Sequence, residues 1–368
     1  MEYGLRWQLS ELLVIYILRW DSMDINSTEC NSGILLFDYD IVTSLSTILQ
    51  IMATLAPNTV LKGSWIIEKK LGEGACAIVY SVQPTAANTS SRDIGYVAKV
   101  VQAPTGKGAV LKQRTVLYNL LYHEYMLHTG HFKGFGLSPQ FPLLPRFIYG
   151  EEETTNLGKV RFLVMQRLNA DLPAYIEGLT AAPSRGQRSK GKGKVTDTTA
   201  SLHNVVSKLG VQMMAGLQEV HEKGFVFVDV KPGNFMVNAG TPAPETPRLF
   251  FIDFALAERY TAATMGSSHR PNLPCAVPKG TPGFMSVAVQ EGGQPSRRDD
   301  VEAAVWVLLS LLLPHQELPW ATAASPQECL RLKKACDIAA LCREHDCSEV
   351  SVACAVLWLL QNLLYIVL

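Results

Sequence analysis

The chain has 368 residues, of which 48% are hydrophobic and 18% charged; this excludes a largely disordered chain and leaves room for one large or two modest domains. Its 33 basic and 33 acidic residues cancel, so no global field points to nucleic acid or to an anionic membrane. The eight cysteines do not pair by spacing, and Cys342 and Cys347, with His345 between them, lack zinc-knuckle spacing; they are read as free thiols in a reducing compartment.

Residues 1 to about 60 are rich in apolar side chains but carry no usable motif, and they are read as an N-terminal extension of unknown role. Within it Leu9 to Leu18 is short and contains Glu11, which argues against both a signal segment and a membrane span. From Trp65 the pattern changes to short strand-like runs: Trp65-Ile66-Ile67, Ala77 to Val82, and Tyr96 to Val101. A polar connector, Pro84 to Asp93, separates the last two. Lys112 to Leu127 has helical spacing. Phe147-Ile148-Tyr149 and Arg161 to Met165 return to strand character, with Glu151 to Gly158 as the turn between them.

Pro183 to Thr199 is a basic low-complexity insertion, read as a solvated loop or as a docking or localisation patch. Leu202 to Glu222 is an amphipathic helix and Asp299 to Leu313 a strongly buried one. Ser351 to Leu368 is uncharged and just reaches spanning length; it is read as a helix closing a globular lobe, with a C-terminal tail anchor as the alternative. A strand-rich part with one helix, followed by a helix-rich part, predicts a two-lobed α+β fold.

Chemistry-bearing residues follow the same order. Leu71-Gly72-Glu73-Gly74 lies between two predicted strands, where glycines let backbone N–H groups approach phosphate oxygens. The third expected glycine is Ala77, so this motif is incomplete. Val97-Ala98-Lys99 puts a lysine on an apolar strand, where its ammonium must find a polar partner or face solvent at a sheet edge. Between Lys99 and Tyr125 the single acidic residue is Glu124, inside the predicted helix, and it is the natural partner.

Asp229-Val230-Lys231-Pro232-Gly233-Asn234 places an Asp and an Asn five residues apart. Asp229 suits a catalytic base, Lys231 a stabiliser of transferred phosphoryl charge, and Asn234 a Mg²⁺ ligand. Phe250-Phe251-Ile252-Asp253 adds a second metal-binding acid after a hydrophobic strand. The ordered set Gly72, Gly74, Lys99, Glu124, Asp229, Lys231, Asn234 and Asp253 reads as a kinase.

Gly280-Thr281-Pro282-Gly283-Phe284-Met285-Ser286 and Ser296-Arg297-Arg298-Asp299-Asp300-Val301-Glu302 make the resemblance specific, together with Pro145-Arg146-Phe147, Arg161 to Leu168 and Leu318-Pro319-Trp320. These segments resemble the casein kinase 1 group of protein kinases, and within it the vaccinia-related kinases, over about residues 62 to 368. The resemblance implies a kinase domain over residues 61 to 368, with a β-rich lobe to about 168 and a helical lobe from about 169. It implies Met165 as gatekeeper, Gln166 to Leu168 as a hinge offering backbone hydrogen bonds, and Val79, Ala98 and Met236 around adenine. Asp300 would brace the catalytic loop.

The implied activity is ATP- and Mg²⁺-dependent transfer to serine or threonine hydroxyls of protein substrates, by a monomer inside the cell, in nucleus or cytoplasm. Direct nucleic-acid binding and membrane attachment are not expected. Departures from the pattern are Phe227-Val228 before Asp229, Ala77, and Ala255 after Phe254. They motivate the alternative of a catalytically impaired pseudokinase serving as a nucleotide-binding or scaffold module; a small-molecule or lipid kinase is a third class.

Overall fold

The computed structural model describes residues 54–73, 77–85, 95–105, 107–133, 144–180, 196–238, 247–260, 274–275 and 278–345. Residues 1–53, Gly74, most of the basic insertion (183–195), Cys347 and the apolar stretch 351–368 lie outside the described residues. Among the described residues no helix is long and apolar enough to cross a membrane. The chain divides into two compact units: described residues up to Lys133 with Arg146–Arg167 form one, and those from Leu168 onward lie in the other.

The first unit is built on six strands: β1 (Val60–Leu61), β2 (Trp65–Glu73), β3 (Ile78–Pro84), β4 (Tyr96–Gln102), β5 (Phe147–Thr155) and β6 (Gly158–Gln166). They form an antiparallel sheet in the order β1-β2-β3-β4-β6-β5. One face buries Ile67, Tyr80, Ala98, Val100, Phe162 and Val164. Leu55 joins this core and its N–H donates to Tyr80 Oη (2.9 Å), so packing begins ahead of residue 60.

The predicted turn over Glu151 to Gly158 is strand for most of its length. Its acids have partners in the fold: Glu152 pairs with Lys159 and Arg161 across the hairpin, and Glu151 with Lys62. Only Asn156 and Leu157 turn the chain, and Gly158 (φ 86) takes the left-handed conformation that this turn needs.

Helix α1 (Gly108–Met126) starts four residues before the expected Lys112 and runs on into a π-helical turn, Leu127–His131. Its apolar face packs Val116, Leu117, Leu120 and Leu121. Arg161 ties α1 to the sheet, donating to the Tyr118 carbonyl (2.6 Å) and stacking 3.9 Å over the Tyr118 ring. Gly150, opposite Leu163, allows the close approach: a Cβ there would come within 2.8 Å of Tyr125 Cδ2 and 2.9 Å of Leu163 Cδ2.

The second unit holds short strands β7 (Ala170–Asp171), β8 (Phe225–Val226), β9 (Phe235–Asn238), β10 (Arg248–Phe251) and β11 (Glu258–Arg259). Its helices are α2 (Leu172–Thr180), α3 (Thr196–Glu222), α4 (Val287–Gln290), α5 (Arg297–Leu312), α6 (Pro326–Ala335) and α7 (Ile338–Glu344). Strands β10, β9 and β7 form one antiparallel ribbon and β8 with β11 another, bracketing the catalytic loop. Helix α3 begins at Thr196, six residues ahead of the expected Leu202, so the end of the basic insertion forms its first turns.

Helix α5 opens with a capping box. Ser296 N–H donates to Asp299 Oδ2 (2.8 Å), and Ser286 Oγ donates to Asp299 Oδ1 (2.7 Å). Below it, Leu309, Leu313, Leu318, Trp320 and Cys329 form a separate core.

Replacing Gly150 with Ala overpacks the junction between α1 and the sheet. The expected loss is about 1–3 kcal/mol of stability, read by urea denaturation, with a peptide-resolved increase in hydrogen exchange along α1.

Candidate active site

In the first unit the chemistry sits on β4 and α1. Lys99 lies on a central strand, paired with Val79 and Leu163, not on a sheet edge. Glu124 falls on the buried face of α1, one turn after Leu120, and is only 1% exposed. A carboxylate so placed needs a counter-charge. Lys99 Nζ supplies it at 2.6 Å from Glu124 Oε2.

His128, one further turn along, lies with Nε2 3.9 Å from Glu124 Oε1 and its ring stacked on Phe147 at 5.6 Å. Burial, reinforced by the Lys99 charge, lowers its pKa to about 4, so it is neutral at physiological pH.

Strand alternation decides which neighbours share the face of Lys99. Val79 is its direct cross-strand partner, and Val97, two residues away, shares that face and pairs with Met165. Gly72 lies opposite Val79. Ala98 is on the other face, 0% exposed within the sheet core, so its expected adenine contact is corrected: a strand residue next to Lys99 cannot point the same way. Val97 is the residue that the expectation missed, and its i−2 spacing from Lys99 was the available signal.

The Gln166 N–H donates to the Arg146 carbonyl (2.9 Å) and the Arg167 N–H to the Gly95 carbonyl (2.8 Å). The amide hydrogens of Gln166 and Arg167 are therefore both taken within the fold.

In the second unit the catalytic loop is held from below by Asp300, in the first turn of α5 and 1% exposed. Asp300 Oδ2 accepts from Phe227 N (2.7 Å) and lies 2.9 Å from His221 Nε2; Oδ1 accepts from Val228 N (2.8 Å). This clamp holds Val228 at φ 72, a conformation that a β-branched residue rarely adopts. Phe227, where the kinase pattern has His, is fully buried against Phe254 (4.8 Å between ring centroids) and Phe251 (5.4 Å).

Three side chains converge on Asp229. Thr281 Oγ1 donates to Oδ1 (2.7 Å), Lys231 Nζ lies 2.6 Å from Oδ2, and Asn234 Nδ2 donates to Oδ2 (3.0 Å) and to the Asp229 carbonyl (2.9 Å). Thr281 was quoted in the sequence only as part of a family motif; its contact with the base could not be read from a separation of 52 residues.

Met236, on β9 opposite Phe250 and Asp171, is half-buried. Ile252 N–H donates to the Asn234 carbonyl (2.9 Å), which fixes the start of the Asp253 segment beside Asn234. Left-handed backbone falls on Asp253 (φ 66), not on Ala255, so the extra Cβ of Ala255 sits in ordinary backbone.

The Asn234–Asp253 donor set fits a hard divalent cation. Both amide hydrogens of Asn234 are turned to Asp229, which leaves its amide oxygen as the ligand atom, and Asp253 offers a carboxylate.

The segment after Lys279 is fastened from beneath by Lys333 of α6, only 4% exposed. Its ammonium donates to the Met285 carbonyl (2.6 Å), Gln290 Oε1 (2.9 Å) and the Pro282 carbonyl (3.1 Å), and lies 5.5 Å from the Trp320 ring. Burial lowers its pKa to about 8.

A family model described as fungal protein kinase matches residues 193–312. The chain is 26% identical over 271 residues to the probable serine/threonine-protein kinase FPV212 of fowlpox virus, covering 71% of this chain and 74% of that protein. It is 27% identical over 259 residues to the human serine/threonine-protein kinase VRK2, covering 70% of this chain but 44% of that one. Over 133 residues it is 34% identical to casein kinase I homolog 3 of Schizosaccharomyces pombe, covering 35% and 30% respectively. Among solved structures, vaccinia related kinase 3 matches with a TM-score of 0.56 and 17% identity, covering 80% of this chain and 79% of that one.

Fold and site together define a protein kinase. The chain is similar to kinases of the casein kinase 1 group and, within it, of the vaccinia-related type.

Two measurements check this geometry. Because the folded-state pKa of His128 lies below its ordinary value of 6.5, its contribution to stability is complete above pH 6.5 and is lost as pH falls toward 4, on the order of 3 kcal/mol in all. His128→Leu should flatten the pH dependence of the denaturation midpoint in that window. At position 228 the usual order of Ala and Gly should invert: Val228→Gly should be about 1 kcal/mol more stable than Val228→Ala, since only glycine relieves the positive φ.

Proposed function

We propose that this chain is an active protein serine/threonine kinase, transferring the γ-phosphoryl group of ATP to protein hydroxyls with Mg²⁺. The observation that carries the reading is the set of contacts around Asp229. A buried carboxylate touched by a threonine hydroxyl, a lysine ammonium and an asparagine amide is held in one orientation before any substrate arrives.

In the reaction the substrate hydroxyl oxygen forms a bond to the γ-phosphorus while the bond from that phosphorus to the ADP oxygen breaks. Asp229 accepts the hydroxyl proton, and Lys231 offsets charge on the transferred group. Lys99, fixed by Glu124, draws on the α- and β-phosphates, and Val79, Val97 and Met165 of the same unit supply apolar contact for the base. Asn234 and Asp253 would hold Mg²⁺, which when bound offsets charge on the phosphates.

The altered residues Ala77, Phe227, Val228 and Ala255 replace none of the groups assigned to proton transfer, phosphate or metal. In this reading the chain acts as a monomer inside the cell, in nucleus or cytoplasm, on protein substrates.

The test is transfer of labelled phosphate to casein and to the chain itself. Asp229→Asn should lower kcat by about 10²–10⁴-fold while still binding nucleotide. A wild type that binds ATP tightly but turns over no faster than Asp229→Asn would establish the scaffold role instead.

A further inference from the structure

We propose that the Glu258–Lys279 ion pair is a positioning device for the catalytic base, seating Thr281 on Asp229. The inference rests on the kinase reading above and adds two residues to which that reading gives no part.

The connection can be followed atom by atom within the second unit. Lys279 is buried and its Nζ pairs with Glu258 Oε1. Glu258 lies on β11 opposite Val226 of β8, and β8 runs directly into Phe227 and Val228, the two residues whose N–H groups Asp300 clamps. Glu258 is therefore fixed to the frame that carries Asp229.

From Lys279 the chain passes through Gly280, which has φ 110 and would place a Cβ 3.0 Å from the Val228 carbonyl oxygen. That leads in one residue to Thr281, whose hydroxyl donates to Asp229 Oδ1 at 2.7 Å. The loop thus meets the Val228–Asp229 segment twice, first at the Val228 carbonyl, where only glycine fits, and then at the Asp229 carboxylate.

Lys279 is buried and Glu258 partly buried, so separating the ammonium from this carboxylate is costly and the segment is held where the two meet. A hydrogen bond of 2.7 Å does not survive a displacement of about 1 Å at its donor.

The pattern before Asp229 gives a reason for such an anchor. Kinases that switch by phosphorylation order this segment through an arginine that captures the phosphate. That position is Val228 here, which carries no charge. Glu258 and Lys279 supply an electrostatic anchor from within the chain, and the bonds from Lys333 to Pro282 and Met285 secure the other end.

The experiment compares wild type, Lys279→Met, Lys279→Arg, Glu258→Gln and the double reversal Glu258→Lys/Lys279→Glu. It measures kcat, the KM for ATP, and amide hydrogen exchange over residues 278–285 in the full chain, with and without prior phosphatase treatment. Lys279→Met and the isosteric Glu258→Gln should each lower kcat roughly tenfold or more, leave the KM for ATP unchanged and speed exchange in the segment. Lys279→Arg and the double reversal should restore most of both, and phosphatase should leave wild-type activity intact.

A folded Lys279→Met or Glu258→Gln with wild-type kcat and exchange would overturn the proposal. So would a folded double reversal no better than the single variants, or loss of wild-type activity on phosphatase treatment. If wild type shows no turnover, the kinase reading itself falls; the pin is then decided by exchange alone, and unchanged protection in Lys279→Met rejects it.

Discussion

A carboxylate with almost no access to water governs the second unit. Asp300 is accommodated there because both its oxygens are filled, by two backbone N–H groups of the catalytic loop and by the His221 ring. Its place in the first turn of α5 adds the favourable field of a helix N-terminus. The same helix start is tied through Asp299 to Ser286, so one turn of helix fixes the catalytic loop on one side and the end of the Thr281 segment on the other. Asp229 has a defined orientation because the backbone beneath it has no freedom to rotate.

That constraint has a local cost, and it is visible at Val228. A positive φ on a β-branched residue stores strain of roughly 1–3 kcal/mol. Surrounding contacts hold it in place: the two bonds from Asp300 and the Phe227 ring buried against Phe251 and Phe254. Replacing the usual histidine by phenylalanine removes a polar group from this position and leaves an aromatic cluster whose packing needs no hydrogen-bond partner.

How much was legible in the sequence follows from the range of each interaction. Asp229, Lys231 and Asn234 stand within six residues, so their spacing alone carried their geometry. Glu124 was found by elimination, as the single acid in the right helix. The family motif puts Ala98 beside adenine, whereas the two-residue period of a strand sets it on the face opposite Lys99 and puts Val97 on the same face as Lys99. The later half of the Phe147–Thr155 strand is hidden in the sequence because its acids find distant partners, Glu152 at Lys159 and Arg161 and Glu151 at Lys62. Thr281, Lys279 and Lys333 act over separations of twenty to fifty residues, where no local pattern encodes the contact.

The indole of Trp320 has a use as well as a place. Its Nε1–H donates to the Gly283 carbonyl at 2.7 Å, and its ring faces Lys333 on one side and meets Trp306 edge-on at 5.2 Å. Indole emission depends on the charge and hydrogen bonding around the ring; here Lys333 of α6 supplies the first and Gly283, in the segment that follows Thr281, the second. The protein thus carries its own optical reporter of that segment, one that needs no label and shifts to longer wavelength when Gly283 lets go.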